Sequence, residues 1–372
     1  MSYHLDVEFM ARALQLANNG RYTTDPNPRV GCVLVRNGQI IAEGWHQRAG
    51  CAHAEVEALK TVADTCGATA YVTLEPCSHQ GKTPPCCDAL IAAGISRVVA
   101  AMQDPNPLVA GRGLAKLKAA GIAVSCGLLE EQASVLNRGF IKRMTSNRPF
   151  VRSKLAMSLD GRTALATGES KWITSAEARA DVQRLRAESS AILTGINTVL
   201  ADDPALTARV TFECVQPIRV ILDSRLQMLP SAHMTRLEGR TLVLTCAENY
   251  VKQQQLEQVG LEVYQLPCHN GRVDLNAVLR FLADQQINDV LVEAGAVLNG
   301  ALLAENLIDE MIVYVAPCLL GDQGRGLFHL PDLLTMADKK LLKWRDVRQV
   351  GGDLRLVVEP IKNDDMDDFY PD

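Results

Sequence analysis

The sequence predicts an α/β protein built as two domains. Three observations support this. The chain has 372 residues, more than one hydrophobic core usually serves. Short apolar runs alternate with helical periods along most of its length. A polar, proline-terminated stretch, Lys142-Arg-Met-Thr-Ser-Asn-Arg-Pro149, interrupts that alternation. Apolar content of 47% and charged content of 22% are those of an ordinary globular chain. The formal net charge is −5 and no long basic stripe occurs, which argues against a nucleic-acid partner. No window approaches eighteen uninterrupted apolar residues, so no membrane span is expected. The first residues lack the basic start and apolar run of a signal peptide. Eleven cysteines without a framework spacing fit a reducing cytoplasm, with thiols free for a metal.

The elements follow in order. Leu5, Phe9, Met10, Ala13, Leu14 and Ala17 mark a helix over 5–18, with Gly20 as its stop. Two strands, 30–35 and 39–45, flank Asn37-Gly38, a strong hairpin signal. A helix is expected to open near His53 and run through Leu59 and Val62. A strand over 70–74 ends at Glu75-Pro76-Cys77, and Cys86 begins a further helix. A strand over 97–101, a helix over 113–120 and a short strand near Val124 complete the first domain, assigned to 1–147. The second, 148–362, restarts the alternation at Phe150. Thr174-Ser-Ala-Glu177 reads as a capping box opening a helix through Leu185. Runs at 191–194, 218–222, 241–244 and 290–292 read as buried strands, and 309–315 with 354–359 as a strand pair. The acidic residues 363–372 are predicted to be disordered. No internal repeat is visible.

The chemistry concentrates in the first domain. His53, Cys77 and Cys86 supply an imidazole and two thiolates for a zinc ion, leaving a fourth tetrahedral position for water. Glu55, two residues from His53, places a carboxylate near the metal without having to bind it, as a proton shuttle requires. H-x-E followed by P-C and a second cysteine is the pattern of zinc deaminases. Eight residues separate Cys77 from Cys86, where the usual pattern has two, and Cys87 is an adjacent competitor. A closed four-ligand staple recruiting His79 or Cys87, or inert buried cysteines, are the alternatives.

Longer stretches carry a family resemblance. Asp25-Pro-Asn-Pro28, Val30-Gly31-Cys32, Thr73-Leu-Glu-Pro-Cys-Ser-His79 with Gly81-Lys-Thr-Pro-Pro-Cys86, and Asp104-Pro-Asn-Pro107 with Gly111-Arg-Gly113 resemble the riboflavin-biosynthesis deaminases. Lys154-Leu-Ala-Met-Ser-Leu-Asp-Gly-Arg162, Gly168-Glu-Ser-Lys-Trp-Ile-Thr174 and Val199-Leu-Ala-Asp-Asp-Pro-Ala-Leu-Thr207 resemble that family's reductase domain. The resemblance covers roughly residues 5–360. It implies a cytidine-deaminase-like N-terminal domain and a dihydrofolate-reductase-like C-terminal domain. It also implies zinc-dependent deamination of a phosphoribosylamino-pyrimidine, then NADPH-dependent reduction of the ribosyl chain to ribityl. No strand leads into G-x-G-x-x-G, so NADPH is expected to bind without the Rossmann fingerprint.

The resemblance carries over to named positions. Cofactor contacts fall at Ala156, Trp172, Thr198, Asp202, Ser224 and the turn Gly295, Ala296, Val297, Leu298, Asn299, Gly300 and Ala301. Substrate contacts fall at Ser170, Arg186, Leu206, Arg209 and Glu293. Arg186 and Arg209 suit a phosphate because guanidinium presents a bidentate fork. Lys154 is a weaker catalytic candidate. In the first domain Asn27, Lys82, Thr83, Asp104 and Asn106 are substrate candidates, with turns and a solvated loop as their alternatives. The family turn after Glu293 is commonly glycine-rich, whereas this chain has a single glycine in Glu293-Ala-Gly-Ala-Val297, and alanine does not tolerate a positive φ. The partners expected are a small-molecule substrate and further copies of the chain, in a homodimer or a higher homo-oligomer. A second domain serving only binding or assembly is the competing reading.

Overall fold

The computed structural model describes residues 3–78, 84–107 and 109–361. Its contacts divide the chain into two compact units, Met1–Arg148 and Pro149–Asp372. The first contains α1 (Tyr3–Asn18), β1 (Gly31–Arg36), β2 (Gln39–Trp45), α2 (Ala54–Lys60) and β3 (Thr69–Val72). Next come α3 (Cys86–Ala92), β4 (Arg97–Ala100), α4 (Arg112–Ala119), β5 (Ala123–Cys126), α5 (Glu130–Leu136) and α6 (Arg138–Ser146). The sheet order is β2-β1-β3-β4-β5. β1 runs antiparallel to both neighbours, and β4 and β5 join in parallel.

Local chemistry explains these elements. In α1 the buried residues Phe9, Met10, Ala13, Leu16 and Ala17 recur at helical spacing, so one stripe packs on the sheet. Asn37 and Gly38 both have positive φ, 52° and 76°, the geometry of a type I′ hairpin turn. Gly44 of β2 lies against α2. A Cβ there would come 2.5 Å from Ala54 O and 2.4 Å from Ala58 N, so the missing side chain lets this helix seat on the sheet. Residues 142–146, read from sequence as a polar break, are instead the end of α6, which stops at Asn147 in the left-handed region. The polarity reflects a helix lying on the surface, with Gly139 its one fully buried residue.

The second unit contains β6 (Phe150–Ser158), β7 (Arg162–Ala164), α7 (Ala176–Glu188), β8 (Ala191–Gly195), α8 (Ile196–Asp202), β9 (Ile218–Leu222) and β10 (Thr241–Thr245). It continues with α9 (Tyr250–Glu257), β11 (Glu262–Gln265), β12 (Cys268–His269), β13 (Arg272–Val273), α10 (Leu275–Asp284), β14 (Asp289–Val292) and α11 (Ala296–Ala304). It ends with β15 (Glu310–Ala316), β16 (Arg325–Gly326), β17 (Leu342–Val350) and β18 (Asp353–Pro360). The main sheet has the order β11-β10-β9-β8-β14-β6-β15-β18-β17. β11 through β15 are parallel, and β18 and β17 close the edge as an antiparallel hairpin. Its central strands are continuous apolar runs, as parallel strands covered on both faces require. The expected capping box does not form: Ser175, not Thr174, caps α7 through a single bond, its hydroxyl accepting from Ala178 N, and an alanine stands where the box needs a glutamate. The tail 363–372 lies outside the described residues. Among the described residues no helix is long and apolar enough to cross a membrane.

Candidate active sites

In the first unit, three side chains from separate elements meet. His53 is the residue before α2, Cys77 follows β3, and Cys86 opens α3. Their ligand atoms all lie within 4.8 Å of one another. His53 Nδ1 is 3.2 Å from Cys86 Sγ and 3.6 Å from Cys77 Sγ. Zinc bonded tetrahedrally at about 2.0 Å to nitrogen and 2.3 Å to sulfur sets N···S separations of roughly 3.5 Å. The trio therefore fits zinc in both donor type and spacing. Cys87 is not part of it: its thiol donates to Pro76 O at 3.2 Å and stands 3.5 Å from Gly113 O, and burial pushes it up to about 12. His79, Lys82 and Thr83 lie outside the described residues.

Electrostatics prepare the sulfurs. The Cys77 thiol is lowered to about 4, first by its hydrogen bond with Cys86, then by His53 and by the Cys86 backbone N–H, which donates to Cys77 Sγ at 3.3 Å. Cys86 is raised by that same contact and by burial. The pair thus favours a thiolate at Cys77, the form in which a sulfur would hold a divalent cation. Glu55 is 3% exposed, in the first turn of α2, and its carboxyl touches the Cys86 thiol. Burial raises it above the ordinary glutamate range.

The surroundings hold the trio rigidly. His46 stands edge-on to His53, with ring centroids 5.5 Å apart. His46 Nδ1 donates to Ala52 O, which leaves Nε2 to accept from Asn27 Nδ2, both at 3.0 Å. Burial lowers the His46 pKa, in keeping with this neutral tautomer. Asn27 thus reaches the metal site through His46. Glu75, in the loop that carries Cys77, braces the other side. Its buried carboxylate accepts from the backbone N–H groups of Asp104 and Gly111 on one oxygen, and of Gly113 and Leu114 on the other, at 2.8–3.2 Å. This pins the 104–114 segment, with Asp104 and Asn106, beside the Pro76-Cys77 loop. Gly113 packs so closely that a Cβ would lie 2.0 Å from Pro76 O. The recurring glycines of Gly111-Arg-Gly113 were the available signal.

In the second unit a cleft of about 2040 Å³ opens where the parallel strands end. Lys154 and Ala156 of β6, Ser170, Trp172, Thr198, Asp202, Ser224, Glu293, Gly295 through Leu298, and Ala301 all line it. Trp172 is 73% exposed, with the Arg179 guanidinium 4.6 Å above its ring. Gly295 has an ordinary φ of −77°, and no residue from Ala294 to Val297 has positive φ. The glycine-poor turn is therefore unstrained.

Five expected contacts do not line the cleft surface themselves. Asn299 is buried; it accepts from Ser153 Oγ at 2.6 Å and donates to Ala294 O at 2.7 Å, so it braces the turn from behind. Gly300 is a packing position, where a Cβ would lie 2.1 Å from His329 O. Leu206 has φ 49° and a side chain 2% exposed in the core, leaving only its backbone for a ligand. Arg186 was expected to clamp phosphate, but its fork is committed to Glu293, at 2.5 and 2.9 Å, with a third bond to Thr207 O. Arg209 is exposed and does not line the cleft. Burial works to raise the Glu293 pKa, yet Arg186, then Lys154 and Arg209, outweigh it and hold the group low. Lys154 Nζ is 3.9 Å from the Glu293 carboxylate.

Known proteins place both sites in one lineage. Residues 4–102 match the cytidine and deoxycytidylate deaminase zinc-binding region, and residues 149–356 match the RibD C-terminal domain. The chain is 52% identical over 364 residues to the riboflavin biosynthesis protein RibD of Escherichia coli K12, covering 94% of this chain and 98% of that one. The solved RibD of Acinetobacter baumannii superposes with a TM-score of 0.91 at 46% identity, over 97% of this chain and 100% of that chain. A diaminohydroxyphosphoribosylaminopyrimidine deaminase/5-amino-6-(5-phosphoribosylamino)uracil reductase of Thermotoga maritima gives 0.84 at 35%, over 96% and 99%. These matches settle the fold classes expected of both units, cytidine-deaminase-like and dihydrofolate-reductase-like, and remove the reading of the second as an assembly module. The chain belongs to the RibD family of riboflavin-biosynthesis proteins, with a zinc-dependent deaminase domain followed by an NADPH-dependent reductase domain.

Proposed function

We propose that the first domain deaminates 2,5-diamino-6-(5-phosphoribosylamino)pyrimidin-4(3H)-one and that the second reduces the ribosyl group of the product to ribityl. The observation that carries this reading is Glu55, buried against Cys86 but outside the His53–Cys77–Cys86 trio. Zinc held by the trio supplies the Lewis acidity that makes water nucleophilic near neutral pH. Glu55 takes a proton from the attacking water, passes it to the ring nitrogen, and returns one to the departing amine. Its raised pKa suits a group that must both accept and donate. Asn27, Asp104 and Asn106 orient the pyrimidine, and Lys82 and Thr83 hold its phosphate.

In the second domain NADPH supplies the hydride. Ala156, Trp172, Thr198, Asp202, Ser224 and the turn opening α11 hold the cofactor. The N–H groups at the start of this nine-residue helix suit a phosphate. Ser170 and Glu293 meet the substrate, Arg186 keeps Glu293 ionised and oriented, and Lys154, beside that carboxylate, holds a proton at the reducing end. The boundary between the activities falls near 147–148, and the enzyme works in the cytoplasm.

The enzyme is proposed to act as a homodimer. β17 is a terminal strand, exposed along nearly its whole length, and it carries Trp344 at 63% and Val347 at 57% exposure. A mass measurement in solution tests this: twice the chain mass of 40.5 kDa is expected, and a monomer at micromolar concentration contradicts it. The catalytic reading is tested by supplying the diaminopyrimidine phosphoriboside with and without NADPH. Ammonia release in both cases, and NADPH oxidation only after deamination, is the expected result. NADPH oxidation without ammonia release contradicts the order of steps.

A further inference from the structure

We propose that Asn137 is a positioning residue for the deamination: it clamps the loop over 25–30 so that Asn27 is presented to the substrate at the metal site. The inference rests on reading Asn27 as a substrate contact of the first domain.

Asn27 lies on a segment that needs holding from outside. Pro26 and Pro28 flank it, and neither has a backbone N–H to donate. Asn27 N donates to Thr24 O at 2.8 Å, which fixes the segment on one side. On the other side Arg29 N donates to Asn137 Oδ1 at 2.8 Å, and Asn137 Nδ2 donates back to Arg29 O at 2.9 Å. The two partners are 108 residues apart in the chain.

This pairing selects an amide. A planar group with one acceptor and one donor side by side matches the N–H and C=O of a single residue. A carboxylate offers acceptors alone, and leucine, of similar size, offers neither. Arg29 Nη1 also donates to Leu136 O at 2.9 Å, so side chain and backbone grip the same junction.

The junction is firmly seated. Asn137 is 5% exposed and stands between α5 and α6. Its backbone N donates to Ser134 O at 3.1 Å, and its carbonyl accepts from Ile141 N at 2.9 Å, which joins it to both helices. Ala133 of α5 belongs to the core of the first unit, and Ile141 of α6 packs against that core. The clamp therefore ties the loop to the core.

What the clamp holds leads to the metal trio. Val30 O, one residue beyond Arg29, accepts from His46 N at 2.9 Å, and Asn27 Nδ2 meets His46 Nε2 at 3.0 Å. His46 in turn stands edge-on to His53. With Nδ2 committed to His46, Asn27 Oδ1 is the atom left to accept from an amino group of the pyrimidine. Asn137 lies beyond residues 4–102, the extent of the zinc-binding region, so the proposal extends the working deaminase to α5 and α6.

The test is a double-mutant cycle in steady-state deamination by the full-length protein, combining Asn137→Asp or Asn137→Leu with Asn27→Ala. Zinc content is measured on every variant. The Asn137 variants are expected to keep their zinc, to raise KM on the order of tenfold and to leave kcat nearly unchanged, as loss of ground-state binding does. Asn137→Asp keeps the shape and one acceptor, so it carries the test if Asn137→Leu does not fold. In the Asn27→Ala background, where KM is already raised, the Asn137 changes should add nothing. A wild-type KM in the Asn137 variants, beside a raised KM in Asn27→Ala, overturns the proposal and leaves the Asn27 contact standing. Equal effects of Asn137 in both backgrounds also overturn it, because Asn137 then acts through something other than Asn27. So does loss of zinc from both Asn137 variants, which makes Asn137 a support of the fold alone. If Asn27→Ala itself leaves KM at the wild-type value, the Asn27 reading fails and takes the proposal with it.

Discussion

Glu75→Gln is a change of one atom with a large expected effect. Four backbone N–H groups converge on this buried carboxylate, two on each oxygen. Glutamine keeps one acceptor oxygen and turns an amine toward the other two donors. Two hydrogen bonds to a charged acceptor are then lost, at about 1.5–3 kcal/mol each. The expected destabilisation is roughly 3–6 kcal/mol, a large part of the about 5–15 kcal/mol that holds a typical domain. The damage should also be directional. The 104–114 segment is freed beside the Pro76-Cys77 loop, so KM for deamination should rise in whatever fraction remains folded. Urea unfolding of the zinc-loaded protein, followed in the first domain, measures the stability. Initial rates of ammonia release measure KM. A midpoint and KM equal to wild type would show that Glu75 does not hold this segment.

Two further outcomes follow from buried charge. Arg186→Met leaves the Glu293 carboxylate with the more distant Lys154, and should cost roughly 3–5 kcal/mol. Combining it with Glu293→Gln should recover part of that cost, and strictly additive effects in chemical denaturation would contradict the pairing. In the first domain, Arg97 grips Asp6 through two bonds of 2.8 Å, with Tyr71 as a further donor, and Arg97 foremost holds the Asp6 pKa below its ordinary 3.8. A lowered folded-state pKa contributes stability that is full above the ordinary aspartate value and is lost as pH falls through the lowered one. The stability advantage of wild type over Asp6→Asn should therefore shrink as pH falls below about 3.8. An advantage that does not change from pH 6 to pH 3 refutes this.

What the sequence revealed was mostly local. The Asn37-Gly38 hairpin, the stripe of α1 and the helix opening at Cys86 depend on neighbouring residues, and each forms where expected. The metal trio was legible because its residue types are chemically restrictive even with a long insert. Pairings distant along the chain were not legible. Arg186 and Glu293 are 107 residues apart, and an arginine suited to phosphate looks the same in sequence as one suited to a buried carboxylate. Asn299 and Gly300 sit within a stretch that does line the cleft, but on the inward face of α11, which a motif cannot reveal. The helix over 138–146 was missed because a surface helix rich in lysine and arginine resembles a linker.

The account turns on an unligated carboxylate beside a three-ligand zinc centre, and Glu55→Gln tests it most directly. Zinc content and both half-reactions should be measured on the purified variant. One zinc per chain, reduction of already deaminated substrate at the wild-type rate, and deamination slowed by roughly 10²–10⁴-fold are predicted. Deamination at the wild-type rate, or loss of zinc with the glutamate, would contradict the account.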